Sequence, residues 1–225
     1  AIITIPMKLI PNDGKEYFLK LEAFTKEEAP LIPKGHQVAM EQWQLNPEGK
    51  RLLNATWTAR EMADKTLNAE RTADAITLTG DNFRIAFSAA NGEMTELSYN
   101  GKNLIKEGLQ PNFWRALTDN DVANNHLERC GIWKFAGKNA KLQSIDLKED
   151  SDKKLATITA NYKMEAQGST LQTIYRIRPN GAVKVSMHFV PGTKALPEMP
   201  RLGMRMILPA EYDVMTWLGR GPQEN

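Results

Sequence analysis

The sequence is poor in the features that most readily disclose a function. Its 225 residues include one cysteine, Cys130, so no disulfide can close within the chain, and cysteine usage fixes no redox compartment. No apolar run reaches the roughly 18 residues that a membrane-crossing helix needs. The formal net charge is only +2, and basic residues are interleaved with acids, as in Glu149-Asp150-Ser151-Asp152-Lys153-Lys154. That pattern reads as solvated turns and argues against a nucleic-acid partner; no membrane partner is expected either. The apolar opening, AIITIPMKLIP, is broken by Pro6 and Lys8 and has no basic segment ahead of it, unlike a signal peptide. It reads as a strand entered in mid-domain.

Familiar catalytic signatures are also missing. His36, His126 and His188 are far apart and lack HExxH or a similar metal spacing. There is no GxSxG, Walker loop or GxGxxG, and GRGP at 219–222 ends in a proline, which removes an N–H that phosphate cradling would need. Asp119, Asn120 and Asp121 look like the start of a calcium loop, but the glycine at its sixth position and the closing glutamate are absent. Cys130 has no base partner in the sequence and reads as packed. No cofactor is expected in this chain.

What is present is a period of two. In YFLKLEAF, Leu19, Leu21 and Ala23 alternate with Lys20 and Glu22, the pattern of a half-buried strand. FRIAFSA repeats it, with Phe83, Ile85 and Phe87 set against Arg84 and Ala86. Turn signals follow at Asn91-Gly92 and Asn100-Gly101. The clearest hairpin runs Leu171, Thr173, Tyr175, Ile177, turns at Pro179-Asn180-Gly181, and leaves through Val183, Val185, Met187 and Phe189, with His188 on the outer face. RLGMRMILP places Leu202, Met204, Met206 and Leu208 on one face of a further strand. Strands joined by tight turns without a βαβ rhythm predict an antiparallel all-β architecture.

Two stretches resist that pattern. Residues 56–71 are rich in helix formers, though a connector between two sandwiches is a fair rival reading, and the domain boundary is placed near residues 54–74. Residues 124–137 suit a short helix with Leu127 and Trp133 turned inward. Five tryptophans and five tyrosines suit stacking on sugar faces or a sandwich core, with core the expectation for most of them.

The densest polar stretch is PNFWRALTDND, residues 111–121. Together with PRLGMRMILP and WLGRGPQEN, in this order and spacing, it resembles the C-terminal region of the β-galactosidases of glycoside hydrolase family two. The family's counterpart reads FWRAPTDND, with proline where this chain has Leu117. PLIPKGHQVAMEQWQL resembles the closing strands of the preceding immunoglobulin-like domain, and ITLTGDNFRIAFSAANGEMTELSYNGKNLI the opening strands of the last domain.

The resemblance implies a partial immunoglobulin-like sandwich over residues 1–60, a connector over 61–73, and the N-terminal part of a galactose-mutarotase-like supersandwich over 74–225. Family-two enzymes cleave terminal β-galactosides with retention, using two glutamates on a (β/α)₈ barrel, a pair that must stand roughly 5–5.5 Å apart. No catalytic residue carries over to this chain, which is expected to be inactive alone. Magnesium and sodium are implied only for the parent enzyme. The implied partners are its remaining domains, above all the barrel, together with a galactoside substrate and other copies in a homo-oligomer; its compartment would be the bacterial cytoplasm or periplasm.

In the family, the stretch after FWRAPTDND is a mobile loop near the active-site mouth, here Val122 to about Leu127. Arg115, Asp119, Asn120 and Asp121, followed by Asn124 and Asn125, are candidates to fix that loop or, equally, only to stabilise the fold. Phe113 and Trp114 read as core. Trp114, Arg220, Glu224 and Asn225 match motif positions without an assigned role. A freestanding carbohydrate-binding module and a purely structural spacer are the alternative readings of the whole chain.

Overall fold

The computed structural model describes residues 4, 10, 17–46, 65–152 and 154–216. The chain divides into two compact units, Ala1–Glu61 and Met62–Asn225.

In the first unit the described residues form one antiparallel hairpin, β1 (Phe18–Phe24) with β2 (Gln37–Gln44). Thr25 and His36 close it by backbone bonding (2.9 Å), and the Thr25 hydroxyl also accepts from the His36 N–H at 3.0 Å. The alternation in β1 predicts a half-buried strand, yet Leu21 is 41% exposed and Ala23 is exposed too. Among the described residues this sheet has two strands, and such a ribbon buries a face only where a further layer covers it.

The second unit is a sandwich. One sheet has five strands in the order β3 (Asn68–Arg71), β4 (Ala75–Thr79), β5 (Phe83–Ser88), β6 (Met94–Tyr99) and β7 (Lys102–Asn103). The other runs β12 (Val183–Val190), β11 (Ser169–Ile177), β10 (Ala156–Met164), β9 (Lys141–Glu149). All pairings are antiparallel. The facing sides contribute Ile76, Leu78, Ile85 and Phe87 from the first sheet and Ile158, Leu171, Tyr175 and Ile177 from the second to one buried cluster. The Phe87 and Tyr175 rings meet between the sheets, centroids 4.8 Å apart. A β8 (Glu107–Asn112) and β13 (Gly203–Ile207) pair forms a separate two-stranded sheet.

The turns follow the sequence. Asn100 and Gly101 both take positive φ (50° and 75°), the left-handed pair that a two-residue hairpin turn requires. At the longer hairpin the Gly181 N–H donates to the Arg178 carbonyl at 2.9 Å.

Four further expectations change. Ala86, assigned outward, is buried, a small side chain on an interior strand flanked by β4 and β6. Leu202, Met206 and Leu208 are exposed: among the described residues β13 pairs only with β8, and its register breaks between Arg205 and Ile207. The helix-rich stretch 56–71 ends in a strand, β3, since Asn68–Arg71 has a ready partner in β4; residues 56–64 lie outside the described residues. Leu127 is exposed, while its neighbour His126 is buried, because the short helix there presents His126 and Cys130 to the core instead.

Candidate functional site

The FWRALTDND stretch follows β8 and leads into two short helices, α1 (Asp119–Ala123) and α2 (His126–Cys130), and a single 3-10 turn, Gly131–Trp133. Phe113 anchors its start. It is buried, with ring centroids 6.0 Å from both Trp133 and Phe189. Trp114 is half-buried beside the core and lies 5.6 Å from the His126 ring.

The polar residues then divide. Arg115 and Asp121 form a bidentate pair: Nη1 donates to Oδ2 at 2.5 Å and Nη2 to Oδ1 at 3.0 Å. Two parallel bonds of this kind fix orientation as well as distance. Arg115 Nη1 also reaches the Ala116 carbonyl at 3.0 Å. Asp121 further accepts from the Thr118 N–H at 2.8 Å and the Thr118 hydroxyl at 3.0 Å. Thr118 in return caps α1, its hydroxyl accepting from the Asp121 N–H at 3.4 Å. This reciprocal box satisfies helix-start N–H groups that would otherwise lack partners. The Arg115 guanidinium first, and the Thr118 N–H second, hold the Asp121 carboxyl below the usual carboxylate range.

Asp119, Asn120, Asn124 and Asn125 expose their side chains and do not join this clamp. Asp119 and Asp121 place negative charge in the first turn of α1, where the helix dipole favours it. Asn124 and Asn125 act through the backbone: the Asn124 N–H donates to the Asn120 carbonyl at 3.1 Å, and the Asn125 carbonyl accepts from the Arg129 N–H at 3.1 Å. Asn125 bends the chain between the helices with φ 49°, a conformation asparagine tolerates better than most residues. Residues 122–127 are therefore a helix end, a turn and a helix start. Arg220, Glu224 and Asn225 lie outside the described residues.

The structure brings together two groupings that sequence reading missed. His126, Cys130 and Glu198 converge, with one candidate ligand atom from each within 4.8 Å of the others. The four-residue spacing of His126 and Cys130 was visible; Glu198 comes from a distant loop. A cleft of about 480 Å³ is lined by Glu93, Glu107, Gln110, Asn112 and Lys138, with Phe135 at its side. Phe135 is largely exposed, and an Arg205–Glu107 ion pair (2.7 Å) closes one wall. Among the described residues no helix is long and apolar enough to cross a membrane.

Comparison with known proteins follows the same division of the chain. Residues 1–46 match the family described as β-galactosidase, domain 4. The β-galactosidase of Priestia megaterium is 27% identical over 99% of this chain, and that of Clostridium acetobutylicum is 35% identical over 65% of it. The matched regions are 21% and 16% of those two proteins, so this chain spans about a fifth of the relatives' length. From β5 onward the sandwich, with the FWRALTDND clamp, falls within residues 79–225, which match the β-galactosidase small-chain family, and to that family the chain belongs.

Proposed function

We propose that this chain is a non-catalytic part of a β-galactosidase, and that its α1–α2 segment shapes one side of an active-site mouth carried by the remaining domains. The observation that carries this reading is the Arg115–Asp121 clamp. It holds a solvent-facing helix–turn–helix rigidly at its base while leaving Asp119, Asn120, Asn124 and Asn125 pointing outward. Side chains fixed on such a base can meet a sugar bound by another domain with little loss of freedom.

The division of labour follows from the chemistry. Retaining cleavage of a galactoside needs two carboxyl groups roughly 5–5.5 Å apart on opposite sides of the glycosidic bond. In this reading that pair, and the magnesium and sodium implied for the parent enzyme, belong to the rest of the protein. The His/Cys/Glu grouping does not fit those hard cations, because a thiolate is a poor ligand for them. The remaining domains and further copies of the enzyme are the partners.

The cleft beside Phe135 favours a second reading, a carbohydrate-binding module. Carboxylates, amides and an exposed ring around about 480 Å³ suit a sugar. Amide NMR titration of this chain with galactose and lactose separates the two. A dispersed spectrum whose resonances ignore both sugars supports the supporting-domain reading. Saturable shifts confined to the cleft residues would replace it with the module.

A further inference from the structure

His126 and Cys130 are four residues apart on α2, so their side chains share one helix face. Both are buried; His126 is 7% exposed and Cys130 fully enclosed. The loop after β12 returns across this face. Trp133 Nε1–H donates to the Pro197 carbonyl at 3.2 Å, and Arg129 pairs with Glu198. The convergence of an imidazole nitrogen, the Cys130 thiol and a Glu198 carboxylate oxygen within 4.8 Å follows from these contacts.

A second observation concerns the imidazole alone. His126 Nε2 is buried and has no hydrogen-bond partner among the described residues, although buried polar atoms in folded proteins are nearly always paired. On its other side Nδ1 faces Asp121 Oδ1 at 3.9 Å, and Asp121 is itself fixed by Arg115 and Thr118. That carboxylate stands just beyond hydrogen-bond distance of Nδ1, and a small approach would give the carboxylate–imidazole pair common behind metal-bound histidines.

We propose that His126, Cys130 and Glu198 bind a divalent transition metal of the zinc class, with water in the fourth position. One nitrogen, one sulfur and one oxygen donor suit zinc, which takes such mixed sets tetrahedrally. Bond lengths of about 2.0–2.3 Å require the donors to close in somewhat from their present separations, and the exposed Glu198 side chain can make that movement by rotation. On binding, Cys130 gives up its thiol proton to solvent and bonds through the thiolate. The metal ties α2 to the 196–199 loop, a third link beside the Trp133–Pro197 hydrogen bond and the Arg129–Glu198 ion pair.

The test is a cobalt(II) titration of the full chain after chelator treatment. A thiolate-to-cobalt charge-transfer band should grow in the near ultraviolet, saturate at one cobalt per chain and vanish on adding zinc. Cys130→Ser should abolish the band. Glu198→Gln, at an exposed position that leaves the fold intact, should weaken cobalt binding by at least about tenfold. The absence of a thiolate band from the folded chain would overturn the proposal, as would an unchanged affinity in Glu198→Gln.

Discussion

The two units carry the same alternating sequence pattern and use it differently. In the hairpin of the first unit, Phe18, Leu21, Phe24, Val38 and Trp43 are all exposed. In the sandwich of the second unit, the equivalent alternation in β10 and β11 buries Ile158, Ala160, Leu171, Tyr175 and Ile177 almost completely. Alternation thus names the face a strand offers, but only an opposing layer turns that face into core. β5 and β11 have each other across the sandwich, and no such layer covers β1 and β2 among the described residues.

The sharpest way to break this comparison is to truncate a side chain in each unit. Ile158→Ala should destabilise the second unit by about 2–5 kcal/mol, the range for a buried aliphatic residue. Val38→Ala, at a position 59% exposed, should cost about 0.5 kcal/mol or less. Urea unfolding followed by amide exchange should show β10 and β11 protected far longer than β1 and β2. Equal protection in the two units would remove the distinction.

Titration sharpens the contrast within the second unit, between its interior and its surface clamp. Burial first, and the neighbouring Tyr162 second, push the Tyr175 hydroxyl above its ordinary value. The fold favours the neutral phenol, so its contribution is intact below about pH 10 and is lost as pH rises through the raised value. Asp121 behaves in the opposite sense. Its contribution is intact above about pH 3.9 and is lost as pH falls through the lowered value set by Arg115 and Thr118. Circular dichroism against pH should therefore show Tyr175→Phe removing part of an alkaline transition and Asp121→Asn removing part of an acid one.

The smallest effect expected is association. The hairpin of the first unit exposes apolar side chains, and the second unit separately exposes Met206 of β13 and Leu208 after it; self-contact would cover either patch. Sedimentation should show concentration-dependent association; a monodisperse monomer at high concentration would count against it.

Much of the fold was legible because it depends on local signals. The Asn-Gly turns, the strand period and the long hairpin needed only neighbouring residues to read. Ala86 and Met206 were not legible, because their burial depends on which strands flank β5 and β13. The site divides in the same way. Arg115 and Asp121, six residues apart, could be nominated from the motif, whereas their separation from Asp119 and Asn120 depends on which side of α1 each one faces. Glu198 could not be nominated at all, since it meets His126 and Cys130 only when the 196–199 loop folds across α2.

The central claim is that the Arg115–Asp121 clamp positions a substrate-side element of a β-galactosidase. The most direct test is kcat/KM for a β-galactoside in the whole enzyme carrying Asp121→Asn, with folding checked in parallel. The account predicts a fall of roughly tenfold to hundredfold, the scale of a misplaced positioning group, in enzyme that remains folded and assembled. An unchanged kcat/KM in folded enzyme would contradict it and leave the clamp as a support of the fold alone.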